Sequence, residues 1–182
     1  MRLFVAIDLS DPARDALAAV QDDLTTGRRT DPETFHVTLA FLGEEDADTA
    51  EEVALELESL RAPAFDLTLS GFDTFGGASP AVLVSTVADA GPVTALHQAV
   101  RRRLRQAGVE LSRERFRPHV TIARMPRRMH EGQMAALHLF LSRNAAWRGD
   151  PFRVTSFALY QSHLSPDGAE HEELARFPLT MA

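Results

Sequence analysis

Two short strings carry the residue types that move protons around a phosphate: His36-Val37-Thr38-Leu39-Ala40-Phe41 and His119-Val120-Thr121-Ile122-Ala123-Arg124, identical at four of six positions. Imidazole, with an unperturbed pKa of ~6.5, exists in both protonation states near neutrality. Two imidazoles opposed across a cleft can therefore act together as general acid and general base. A threonine two residues on leaves a strand from the same face, where its hydroxyl can donate to a phosphoryl oxygen. One His-x-Thr string alone reflects little more than the preference of threonine for strands. The signal is its recurrence, although a duplicated structural strand without chemistry would leave the same trace. Alternation assigns Val37, Leu39 and Phe41 to the core face. It assigns Ala40 and Ala123 to the polar face, as small residues that leave room for a substrate. Arg117 shares the face of His119. Arg124 falls on the opposite face unless the strand ends or bulges there, so both arginines are candidate phosphate ligands in competition with structural salt bridges.

Composition removes most rival chemistries. The chain has no cysteine, and all 19 basic residues are arginine. Thiolate nucleophiles, sulfur-ligated zinc, Schiff bases and a P-loop lysine are excluded. Gly77-Ala78-Ser79-Pro80-Ala81 faintly resembles a serine-hydrolase elbow. That elbow uses the N–H after the serine as an oxyanion donor, and Pro80 has none. His97, His130, His138, His163 and His171 read as surface or packing residues, and Trp147 and Tyr160 as core aromatics. Neither histidine strand carries a nearby carboxylate, so no metal and no other cofactor is expected.

The surrounding pattern supplies the two strands with matching frames. The first half reads as a strand at Leu3 to Leu9, a helix opened by Asp11-Pro12, the first histidine strand at Thr34 to Leu42, a helix at Ala47 to Leu60 and a strand at Phe65 to Phe72. The second half repeats the order: a strand at Ala81 to Val87, a helix opened by Gly91-Pro92, the second histidine strand near Pro118 to Arg124, a helix at Glu131 to Leu141 and a strand at Phe152 to Ser162. Ser165-Pro166-Asp167-Gly168 joins that strand to a last one near Glu173 to Phe177 as a hairpin. A parallel doubly wound sheet is disfavoured by this antiparallel hairpin and by the shortness of each half. The expected fold is α+β and bilobal, with two β-α-β-α-β lobes related by a pseudo-twofold axis and mainly antiparallel sheets around a central cleft. Residues 1–182 are expected to form one such domain, with repeats at about 1–75 and 81–163 and a closing hairpin at 152–179.

The net charge of −7 is uneven. Between Arg101 and Arg128 lie ten arginines and only two acids, Glu110 and Glu114. A basic island on an acidic protein suggests a local anion site; the helical stretch Arg101 to Arg105 taken alone reads equally well as a solvated face. No stretch approaches the ~20 apolar residues of a spanning helix, and no targeting segment is visible. The expectation is a cytoplasmic monomer without membrane contact.

The paired strings resemble the 2H phosphoesterases, and among them the bacterial and archaeal RNA 2′,3′-cyclic phosphodiesterases, also called 2′-5′ RNA ligases. Arg2-Leu3-Phe4-Val5-Ala6-Ile7-Asp8 resembles the family's opening, and Leu159-Tyr160-Gln161-Ser162 and Leu174-Ala175-Arg176-Phe177 its closing hairpin. The resemblance implies a central groove with the two motifs facing each other. It implies metal-independent hydrolysis of an RNA terminal 2′,3′-cyclic phosphate to a 2′-phosphate. It implies His36 as proton donor, His119 as proton acceptor, and Thr38 and Thr121 as phosphate contacts. The residues themselves, being so nearly symmetric, leave the acid and base order open. Relatives usually carry a tryptophan before the first motif, whereas Gly27-Arg28-Arg29-Thr30-Asp31-Pro32-Glu33 has no aromatic residue. The missing aromatic puts a base-stacking contact from this loop in question, and Arg28 and Arg29 read as exposed loop residues, with a phosphate contact as the alternative. A phosphodiesterase acting on small cyclic nucleotides or ADP-ribose cyclic phosphate and a non-catalytic RNA-binding module are the alternatives.

Overall fold

A computed structural model describes residues 1–181. The first strand, β1 (Arg2–Asp8), is buried from Leu3 to Ile7. Ser10 ends it and caps α1 (Asp11–Gln21), its hydroxyl accepting the Ala13 N–H at 3.3 Å, with Pro12 in the first turn. A short strand β2 (Arg28–Arg29) and a 3-10 turn (Pro32–Thr34) lead into β3 (His36–Glu44), which carries the first motif. Asp46 caps α2 (Ala47–Glu58) through the Thr49 N–H. Then come β4 (Phe65–Leu67), β5 (Leu69–Phe75), β6 (Val82–Val87) and α3 (Gly91–Gln106). Val93, Leu96, Val100 and Leu104 form the buried stripe of α3; each such side chain contributes about 1.5–3 kcal/mol on burial. The second motif is β7 (His119–Arg124), followed by α4 (Glu131–Arg143), β8 (Phe152–Val154), β9 (Ser156–Ser165) and β10 (Gly168–Pro178).

Two four-stranded sheets hold the motifs, in the orders β10-β9-β1-β3 and β2-β7-β6-β5, and β4 pairs with β8 apart from them. Every pairing between these strands is antiparallel. The fold is therefore α+β with antiparallel sheets. The halves are interleaved: the segment Phe65 to Phe72, read as one strand, breaks at Thr68, and its second part, β5, joins the sheet of β6 and β7. In return β9 pairs with β1. Each repeat thus gives its last strand to the sheet of the other. The β9–β10 hairpin turns through Pro166 and Asp167 and closes on Gly168 at φ +135°, and β10 is longer than the sequence pattern indicates because its exposed, charged residues hide its alternation.

The motif strands are not regular. In β3 the pairing with β1 steps from Thr38 opposite Ala6 to Ala40 opposite Val5, so Leu39 is an extra residue. In β7 it steps from Thr121 opposite Val84 to Ala123 opposite Leu83, so Ile122 is extra. A bulge of this kind inverts the alternation beyond it. Leu39 and Ala40 both enter the core, as do Ile122 and Ala123, while Phe41 is 64% exposed. This corrects the uninterrupted alternation. The alanines are core residues rather than cleft liners, Phe41 leaves the core for the face of His36, and Arg124 takes the face of His119. Among the described residues no helix is long and apolar enough to cross a membrane.

Candidate active site

His36 opens β3 at the end of the 3-10 turn, and His119 opens β7 in the same way after Pro118. In each case the ring Nδ1 donates to the carbonyl two residues back, His36 to Thr34 at 2.7 Å and His119 to Arg117 at 2.6 Å. A ring whose Nδ1 is committed as donor presents a basic Nε2. Thr38 occupies the Nε2 of His36, its hydroxyl donating at 2.9 Å. Thr121, half-buried, has the corresponding position on β7. β3 and β7 lie against each other, and His36 and His119 are close enough for their charges to interact.

The supports of the two histidines differ. His36 rests on Phe4, ring centroids 5.0 Å apart, and meets His171 edge-on at 5.2 Å. Phe4, Ala6, Ala158 and Tyr160 form a small buried cluster beneath it, with Phe4 and Tyr160 stacked at 5.4 Å. Asp8 pairs with His36 in the sheet register. Its carboxylate accepts the Tyr160 hydroxyl at 2.6 Å and Arg176 Nη2 at 2.5 Å, and Arg176 also binds Glu173. On the other side Thr86 holds the place of Asp8, opposite His119. Phe75 meets the His119 ring edge-on at 4.8 Å, and the Arg117 guanidinium lies 4.0 Å over the far-reaching Phe75 ring.

These surroundings break the symmetry electrostatically. Burial pushes His36 down to about 4, with the Asp8 carboxylate acting in the opposite sense and His171 and His119 reinforcing the burial. Burial also lowers His119, and there the adjacent charge is the Arg117 guanidinium, which lowers it further. An anion thus stands beside His36 and a cation beside His119, but burial outweighs the Asp8 charge and keeps the His36 proton affinity low.

Of the other sequence candidates, Arg117 reaches the site through Phe75 and its own carbonyl, and Arg124 is exposed beyond the Ile122 bulge. Arg28 is no plain loop residue: it pairs with Arg124 in the sheet and comes close to Gly168 at the tip of the hairpin. Arg29 is taken up by Asp22 and by the carbonyls of Asp22 and Leu24. The basic island divides. Arg101 and Arg103 are engaged by the Ser112 carbonyl and by Glu56 on the helical layer, whereas Arg117 acts on His119 and Arg124 stands exposed at the end of β7. Composition singled out none of Asp8, Phe4, Phe75, Tyr160 or His171 as site residues. The alternation of β1 did put Phe4, Ala6 and Asp8 on one face, and that was the available signal. Phe41 borders a depression of about 320 Å³ shared with Arg2, Gly43 and Glu44. Among the described residues no group of three or more His, Asp or Glu side chains is placed to hold a metal ion.

A family model described as the 2′-5′ RNA ligase superfamily matches residues 4–166. An RNA 2′,3′-cyclic phosphodiesterase of Archaeoglobus fulgidus is 28% identical over 181 residues, covering 97% of this chain and 99% of its own. One of Aeropyrum pernix is 30% identical over 164 residues, covering 87% and 92%. The crystal structure of Escherichia coli LigT complexed with 3′-AMP shares the fold at a TM-score of 0.80 and 25% identity, over 98% of each chain.

Proposed function

Because the chain belongs to the 2′-5′ RNA ligase superfamily, we propose that it hydrolyses the 2′,3′-cyclic phosphate at an RNA end, with His36 as general acid and His119 as general base. The observation that carries the reading is the matched tethering of the two rings: both Nδ1 atoms donate to a backbone carbonyl, which commits neither Nε2 to the backbone, and that of His36 is held by the Thr38 hydroxyl until phosphate displaces it. His119 Nε2 takes a proton from water as the water oxygen bonds to phosphorus. The bond from phosphorus to the ribose 3′-oxygen breaks, and His36 Nε2 delivers its proton to that oxygen. The product is a 2′-phosphomonoester. The Asp8 and Arg117 charges act in the sense of this order, and the burial of His36 acts against it. An anionic phosphate beside His36 favours the imidazolium further, against the burial that lowers it.

Thr38 turns its hydroxyl from His36 to a non-bridging oxygen, and Thr121 and Arg124 donate to the same phosphoryl group as charge develops there. The exposed face of Phe41 offers a surface for the nucleobase, a role the aromatic-free loop at 27–33 does not fill. With an RNA 5′-hydroxyl in place of water the same displacement joins two ends through a 2′-5′ linkage. No ATP is needed, because the cyclic phosphate already holds the activated bond.

The test is phosphorus NMR of a short RNA with a cyclic end, incubated with the protein in excess chelator, beside a panel of mononucleoside cyclic phosphates and ADP-ribose cyclic phosphate. The expected outcome is a 2′-phosphate on the RNA. A 3′-phosphate would reverse the seating of the ribose. Turnover confined to the small substrates would move the assignment to a small-molecule phosphodiesterase. Binding without any product would make the protein a recognition module.

A further inference from the structure

The two bulges raise a question that the catalytic reading does not answer. A bulge disrupts the ladder at its extra residue, and a side chain that donates to that residue's carbonyl helps hold the irregular backbone in place. The Ile122 carbonyl accepts the Thr30 backbone N–H at 2.9 Å and, as a second bond, the Gln21 side chain, whose Nε2 donates to it at 2.9 Å and to the Thr30 carbonyl at 2.7 Å, so that Gln21 bridges β7 and the segment paired with it. Gln21 ends α1 and is only 3% exposed, one of few buried polar side chains. The Leu39 carbonyl is met by His97, whose Nδ1 donates at 2.6 Å. The His97 ring is held in turn by Phe116, stacked on it at 3.7 Å and 4° from parallel.

These donors are counterparts. Each stands on the helix that follows the first strand of its repeat, and each reaches the residue three places after a motif histidine. Each also reaches across: α1 of the first half serves the second motif strand, and α3 of the second half serves the first.

We propose that Gln21 and His97 are a symmetric pair of positioning residues, each fixing the β-bulge in the motif strand of the other half and thereby turning Arg124 and Phe41 into the cleft. Without the bulge, alternation would send Arg124 and Phe41 to the core face and Ala123 and Ala40 to the cleft. The pair also ties each motif strand to a helix of the opposite repeat. This inference rests on the proposed contacts of Arg124 with phosphate and of Phe41 with the base. The two clamps consequently have separable effects, one on the reacting group and the other on base recognition.

The experiment compares Gln21→Met, His97→Leu and His97→Gln with wild type on adenosine 2′,3′-cyclic phosphate and on a base-free ribose 2′,3′-cyclic phosphate, with thermal unfolding of each. Gln21→Met is expected to lower kcat about 10- to 100-fold on both substrates, as misplacement of a transition-state contact does. His97→Leu is expected to raise KM roughly 10-fold on the adenosine substrate and to leave the base-free one unchanged. His97→Gln keeps a donor, as glutamine does at the matching place, and is expected to restore KM. Equal losses on both substrates in His97→Leu, or the same KM in the leucine and glutamine variants, would reduce His97 to a packing residue and overturn the proposal. Wild type inactive on both substrates would remove the catalytic reading beneath it, a failure distinct from an active wild type with indifferent variants.

Discussion

At the scale of single residues, the proposed chemistry requires two nearly identical histidines to take different roles. The backbone treats them alike, and their neighbours do not. Asp8 occupies on the first side the register position that Thr86 occupies on the second. Removing its charge takes away a contribution that raises His36. In Asp8→Asn the limb of the kcat/KM profile that belongs to His36 should therefore move to lower pH and the maximum should fall, while the His119 limb stays in place. A pH–rate series on a cyclic phosphate checks this, and movement of the His119 limb instead would reverse the acid and base assignment. The histidines and threonines stood out as candidates in the sequence because a repeated His-x-Thr is a rare coincidence. Asp8 was not, because a single acid at the end of an apolar run looks like the end of a strand, and only the register shows that it faces His36.

At the scale of elements, apolar periodicity and capping residues placed the helices and most strands within a few positions. The bulges escaped, since Leu39-Ala40 and Ile122-Ala123 are apolar pairs that fit either face and nothing local marks the extra residue. Their donors lie far away in sequence, at His97 and Gln21. The short strand β2 escaped as well, its arginines and glycine reading as loop. Gly27, which starts it, has φ +81°, and a Cβ there would come within 2.9 Å of the Arg124 carbonyl. Gly27→Ala should therefore destabilise the fold by about 1–3 kcal/mol, measured by denaturant unfolding. It should also depress activity through the displaced Arg124 strand. An alanine variant as stable as wild type would show that the turn accepts another conformation.

At the scale of the whole molecule, the exchange of β5 and β9 between the sheets and the crossing clamps make each half depend on the other. The sequence repeat indicated the order of elements in each half, but a repeat does not reveal which sheet its last strand joins, because the pairing is decided by packing between halves. The molecule also carries a pH liability. His36, His97, His119 and His171 all have lowered proton affinity, chiefly through burial. A histidine depressed in the folded state binds more protons when unfolded, so stability is full above the ordinary value of ~6.5 and falls as pH drops through the folded values. His36 extends that window down to about 4. The melting temperature should thus decline from pH 7 to pH 4, and less steeply in His36→Asn; an equal decline in that variant would mean that His36 does not contribute.

The central claim is that the two histidines work as one unit on a cyclic phosphate. The most direct measurement is kcat/KM for an RNA with a 2′,3′-cyclic end in wild type, His36→Ala, His119→Ala and the double variant, each with folding verified. Each single variant should lose ~10²–10⁴ in rate. The double variant should be far less impaired than the product of the two losses, because groups acting in one step are not additive. Wild-type activity in either folded single variant, or losses that multiply in the double, would contradict the account.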